Sequence, residues 1–84
     1  MKTVTIYTTA WCPYCHRAKA LLNRKGVAFD EIDVTMDAAT RADMAARAGQ
    51  HTVPQIWIGD THVGGSDDLH ALERAGRLDA LLAA

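Results

Sequence analysis

Apolar and polar positions along the chain change period several times, and each change marks an element. In "TVTIYT" Val4 and Ile6 alternate with threonines, which predicts a strand with one buried face. Tyr14, Ala18, Leu21 and Leu22 then recur at helical spacing, with Arg24 and Lys25 in the last turn and Gly26 as a stop. "VAFDEIDV" reads as a second strand, although its apolar residues Phe29, Ile32 and Val34 change phase within it. From Asp37 to Ala48 an alanine-rich segment predicts a second helix, with Ala38, Ala42 and Ala45 along one side and Gly49 at its end. "QIWI" and "THV" flank Gly59 and Asp60, the signature of a β-hairpin with a two-residue turn. Beyond Gly64 and Gly65 a third helical stretch carries Leu69 and Leu72, then Leu78, Leu81 and Leu82, with Gly76 as a break.

The order β-α-β-α-β-β-α over residues 1–84 is that of one small α/β domain without repeats, linkers or low-complexity segments. A β-α-β unit joins parallel strands, and ligand sites lie at the carboxyl ends of such strands. Cys12 and Cys15, the chain's two cysteines, fall where the first strand passes into the first helix.

Composition sharpens what that pair can be. A bridge across a two-residue loop restrains little of the unfolded chain, and no second pair exists from which to build a disulfide framework, so the two thiols read as reactive rather than structural. His16 beside them supplies too few further ligands for a closed tetrahedral metal site. Ten acidic and nine basic side chains are mixed along the sequence, giving a net charge of -1 and no basic stripe for nucleic acid. No apolar run is long enough to span a membrane, and "MKTVTIYTTA" lacks the apolar region of a secretory signal, so a reducing cytoplasm is the expected compartment.

Pro13 suits the first position of a helix, which places Cys12 at the N-cap. There its sulfur faces unpaired N–H groups and the positive end of the helix dipole, both of which favour a thiolate nucleophile. Cys15, one turn further in, has less access to solvent and suits a resolving thiol.

"CPYC" between strand and helix, "TVPQI" from Thr52 to Ile56 and "GGSDDL" from Gly64 to Leu69 together resemble the three signatures of a dithiol glutaredoxin, over essentially the whole chain. The resemblance implies a thioredoxin fold, a four-stranded mixed β-sheet flanked by helices. It implies a thiol-disulfide oxidoreductase that uses glutathione as reductant and co-substrate, with no permanently bound cofactor. Its partners would be disulfide-containing or glutathionylated proteins, with ribonucleotide reductase a candidate target, and the chain would act as a monomer. It further implies a cis peptide bond between Val53 and Pro54, with the Val53 backbone pairing to the cysteinyl unit of glutathione like an added strand. Thr52 and Gly65 belong to the same groove. Ser66 and Asp67 would open a helix whose N–H groups receive the γ-glutamyl carboxylate, with Asp67 accepting the ammonium. Tyr14 would flank the tripeptide, and Arg41, eleven residues before Thr52, would meet its glycyl carboxylate.

Plainer roles compete for several of these residues. Ser66 and Asp67 also suit a helix cap, Arg17 and Lys19 a solvated helix face, and Trp11 and Trp57 ordinary packing. His51, His62 and His70 are scattered and carry no evident chemistry. Thr9 stands where the family commonly has a lysine. Two other functions fit a pair of this kind: a redoxin of the same fold served by a thioredoxin reductase, and a carrier holding an iron–sulfur cluster between two protomers and two glutathiones.

Overall fold

A computed structural model describes residues 1–83, so of the domain expected over 1–84 only Ala84 lies outside the described residues. The elements are β1 (Val4–Thr8), α1 (Pro13–Arg24), β2 (Asp30–Asp33), α2 (Ala38–Ala48), β3 (Gln55–Ile58), β4 (Thr61–Gly64), α3 (Ser66–Arg74) and α4 (Leu78–Leu82). The C-terminal helical stretch is divided at Gly76, as expected, into α3 and α4. Gly76 lies at φ 70°, a left-handed conformation that costs glycine little, and its N–H closes on Glu73 O while Arg77 N–H reaches back to Leu72 O. That pair of bonds ends α3 and lets α4 turn back onto the core.

The strands lie in the order β2-β1-β3-β4. β1 is parallel to β2 and antiparallel to β3, and β4 is antiparallel to β3 across the expected Gly59–Asp60 turn. This is the four-stranded mixed sheet of the thioredoxin fold.

Both faces of the sheet are covered, which explains the phase change in the second strand. Val4, Ile6, Ile56 and Ile58 meet Ala18, Leu21 and Leu22 of α1, Leu69 of α3, and Leu78 and Leu82 of α4, with Phe29 packed against them. On the opposite face Tyr7, Val34 and Trp57 meet Met44 of α2, with Ile32 alongside. Phe29 therefore serves one core and Ile32 with Val34 the other, and only Asp30–Asp33 pairs as a strand, at the sheet edge. Each large side chain so buried contributes about 1.5–3 kcal/mol before the entropy of ordering is counted.

Two helix faces differ from expectation. In α1 the buried stripe is Cys15, Ala18, Leu21 and Leu22, whereas Tyr14 is exposed. In α2 Met44 and Ala45 are buried while Ala38 and Ala42 face solvent. Alanine removes too little apolar area to choose a face, so the one long apolar side chain, Met44, sets the rotation of α2.

Candidate active site

The loop after β1 is pinned to the loop after β2: Ala10 N–H donates to Thr35 Oγ1 at 2.8 Å, and Thr35 in turn donates to Asp33 Oδ1. It delivers Cys12 in an extended conformation at the N-cap of α1, with Pro13 as the first helical residue. Cys12 Sγ accepts the Cys15 N–H at 3.1 Å, so the sulfur takes the place a serine or aspartate oxygen holds in an ordinary cap. As a thiol it points its S–H at Val53 O, 3.5 Å away. Both cysteines are free, which makes this the reduced form.

The two thiols have opposite surroundings. Cys12 keeps 8% of its surface at the mouth of the site, and Cys15 keeps none. Burial pushes the Cys15 thiol up to about 12, its hydrogen bond with Cys12 and the charge there add to the rise, and the Thr9 backbone and Lys19 oppose it. Cys15 is therefore protonated at neutral pH and cannot compete as the attacking group. Lys19 is engaged elsewhere, 2.9 Å from Glu31, whose carboxyl it holds below the usual range together with the Thr8 hydroxyl.

Beside Cys12 a cleft brings together Tyr14, Thr52, Val53, Pro54, Gly65, Ser66 and Asp67 from the expected set. The Val53–Pro54 bond is cis, as expected. Tyr14 is half exposed on the cleft rim, with the Arg17 guanidinium 5.2 Å over its ring, so Arg17 belongs to the site margin as well as to the helix face. Arg41 is not in the cleft: its Nη2 donates to His51 O at 3.2 Å and it lines a neighbouring hollow with His51 and the α2 alanines.

The start of α3 departs from the simple cap. Gly65 occupies the N-cap and has no side chain to offer, so neither Ser66 nor Asp67 caps the helix. Asp68 reaches back instead and accepts the Gly65 N–H at 2.9 Å. Gly64 lies at φ 110°, and a Cβ there would run into that same carboxylate. Ser66 Oγ is 3.3 Å from His70 Nδ1, which also lies 2.7 Å from Ser66 O. The start of α3 thus lines the cleft without a side-chain cap, and first-turn N–H groups left so can receive a carboxylate.

Gln50 and Asp68 also line the cleft and were not anticipated. Asp68 was findable, because an acidic residue three positions beyond a helix N-cap is a capping signal. Gln50 carries no such signal. Trp57 packs as expected, edge-on to Tyr7, but Trp11 is 89% exposed next to Cys12. Among the described residues no group of three or more His, Cys, Asp or Glu is placed to share a metal ion, and no helix is long and apolar enough to cross a membrane.

Known proteins agree with this geometry. Residues 4–63 match the Glutaredoxin family. A glutaredoxin of Pseudomonas aeruginosa is 69% identical over 84 residues, the whole of both chains. The solution structure of a Brucella melitensis glutaredoxin is 58% identical, with a TM-score of 0.88 over 98% of this chain and 89% of the other. A buckwheat glutaredoxin–glutathione complex is 30% identical, with a TM-score of 0.90 over 96% of this chain and 76% of the other. With a reactive pair of unequal thiols at the head of α1, the cleft beside it and these relatives, the chain belongs to the glutaredoxin family and is a glutaredoxin oxidoreductase.

Proposed function

We propose that glutathione is the reductant of this glutaredoxin and that glutathione mixed disulfides and protein disulfides are its substrates. The observation that carries the reading is the cleft itself: a nucleophile at the N-cap of one helix opens beside the uncapped start of another, with the Val53 main chain between them. The relative seen with glutathione supports it. The Cys12 thiolate attacks the glutathione sulfur of a mixed disulfide, forming the Cys12–glutathione disulfide and releasing the protein thiolate, which takes a proton from water. A second glutathione thiolate then attacks that disulfide, so glutathione disulfide leaves and Cys12 is restored. With a protein disulfide, Cys12 forms the mixed disulfide and the Cys15 thiol, on losing its proton, displaces the substrate; two glutathiones return the resulting Cys12–Cys15 bond to dithiol. Disulfide targets such as ribonucleotide reductase fall under this second route.

The γ-glutamyl carboxylate lies against the N–H groups of Ser66 and Asp67, and the Asp67 carboxylate accepts its ammonium. Val53, preceded by Thr52 and followed by Pro54, pairs with the cysteinyl main chain, Tyr14 and Gly65 close the sides, and Arg41, beyond His51, reaches the glycyl end only by letting go of His51 O. The test is reduction of a glutathionylated peptide coupled to glutathione and its reductase, run beside a parallel assay with thioredoxin reductase alone. Turnover with the first and none with the second is the expected result; the reverse would assign the chain to the other electron source.

A further inference from the structure

Gln55, the first residue of β3, is fully buried, and every polar atom of its amide is used. Nε2 donates to Thr52 O at 3.0 Å and to Gln50 Oε1 at 3.1 Å, with Thr52 Oγ1 at 3.3 Å. A carbonyl oxygen accepts only, so the nitrogen must face Thr52 and the oxygen must face the other way. There Oε1 lies 2.7 Å from His62 Nε2, which must therefore carry the hydrogen. His62 is itself steadied by the Trp57 ring, 4.8 Å between centroids. A polar chain thus runs from β4 through the interior to the loop that forms one wall of the cleft.

Its effect on the cleft follows from peptide geometry. Val53–Pro54 is the cis bond, so the preceding Thr52–Val53 peptide is trans, with its C=O and N–H pointing in opposite directions. Gln55 draws the Thr52 carbonyl inward and thereby turns the Val53 N–H outward, towards the cleft. We infer that Gln55, backed by His62, is a positioning residue for substrate binding: it aims the Val53 N–H and the Gln50 amide at the glutathione moiety. The inference rests on the glutathione reading for its substrate, but the aiming itself is a property of the loop.

The test uses the full chain with Gln55→Met, which keeps length and burial and removes every hydrogen bond. Losing these bonds should raise KM for a glutathionylated peptide about tenfold and leave kcat within about twofold, because the reacting sulfurs are untouched. Cys12 alkylation should keep its wild-type rate. His62→Gln retains a donor for Gln55 Oε1 and should behave as wild type, whereas His62→Leu should move KM in the direction of Gln55→Met. The residual dipolar coupling of the Val53 N–H, which reports its direction, gives a readout that needs no glutathione: it should change in Gln55→Met and His62→Leu while the couplings of α1 stay as in wild type. KM and the Val53 coupling both unchanged in Gln55→Met would overturn the inference, as would an equal loss of kcat and alkylation rate. If Gln55→Met does not fold, His62→Leu matching His62→Gln in both readouts overturns it. No turnover of glutathionylated peptide by wild type would sink the glutathione reading, and the Val53 coupling comparison would then decide the positioning role.

Discussion

α1 spans about 18 Å, and its two ends handle polar groups differently. At the far end Lys25 closes against Asp79 of α4 and Glu73 of α3 at 2.8 and 2.9 Å, and Lys2 N–H meets Leu82 O beside them. Donors and acceptors there are matched within the chain, and the result is a clamp joining three helices. At the near end the sulfur of Cys12 has taken over a cap position, Gly65 offers no side-chain cap to α3, and the Asp68 carboxylate serves the Gly65 N–H. Donors are left facing outward. The same chemical groups give stability where they are paired within the chain and a site where they are held in place but unpaired.

The most severe way to break the comparison is at Cys12. Cys12→Ser should abolish all thiol–disulfide exchange while shifting the melting temperature little, because a serine oxygen can still accept the Cys15 N–H. Cys15→Ser should keep turnover of glutathionylated peptide, since a second glutathione resolves the intermediate, and lose the dithiol reduction of protein disulfides. With the Cys15 thiol near 12, iodoacetamide at neutral pH should label the wild-type chain once, at Cys12. Retained exchange in Cys12→Ser, or labelling at Cys15, would reverse the roles of the two.

Next in size is a substitution that should damage both properties together. Gly64→Ala places a Cβ in a left-handed backbone and against the Asp68 carboxylate. The expected cost is about 1–3 kcal/mol of stability by denaturant titration. Because Asp68 must move away from Gly65, KM for glutathionylated peptide should rise as well. A stability loss without any change in KM would mean that the start of α3 does not shape the cleft.

The clamp should do the opposite and touch stability alone. Lys25→Met removes the ion pairs to Asp79 and Glu73, which raise the Lys25 ammonium above the ordinary lysine value of 10.5. A group whose folded-state value is raised contributes stability that is fully present below its unfolded value and disappears as pH climbs through the folded one. The melting temperature of Lys25→Met should therefore lie below that of wild type by a constant gap between pH 7 and 9, and the gap should close only above about 10.5. kcat/KM should not change. A gap that closed on the acid side of neutrality would point to the carboxylates instead.

How far the sequence reveals this division depends on how local each feature is. The N-cap position of Cys12, the hairpin at Gly59–Asp60 and the break at Gly76 are written in a few adjacent residues, and each is found where expected. The face of α2 is not, because four-residue spacing of alanines carries almost no burial energy. Trp11 and Trp57 look alike in the sequence; one ends on a sheet face under α2 and the other on a loop with nothing above it, a distinction made by tertiary packing. The chain from His62 through Gln55 to Thr52 is likewise invisible, since it joins residues from adjacent strands and a loop whose bonding needs the folded register. The resemblance implies Arg41 for the glycyl end of the tripeptide, and its contact with His51 O, which the loop after α2 brings to it, is visible only in the folded chain.

The smallest expected effect asks whether the site end lacks a charge that it could use. Of the two nearby cations on α1, Lys19 is tied to Glu31 and Arg17 lies over the Tyr14 ring, while Thr9 stands at the turn before Cys12. Thr9→Lys would add an unpaired cation beside the sulfur, where it should favour the thiolate and attract anionic substrate. The gain is bounded, because a partly exposed charge acts through a high effective dielectric: less than about 1.4 kcal/mol, or less than tenfold in the rate of Cys12 alkylation at fixed pH. A more stable thiolate is also a weaker nucleophile, which offsets part of the increase. Screening supplies the control: the advantage of Thr9→Lys over wild type should be visible at low ionic strength and largely gone at 1 M salt, where the Debye length falls to about 3 Å. Equal alkylation rates at low salt would show that the helix N-terminus and the Cys15 N–H already give Cys12 all the electrostatic help it uses, and that the open end of α1 needs no added charge.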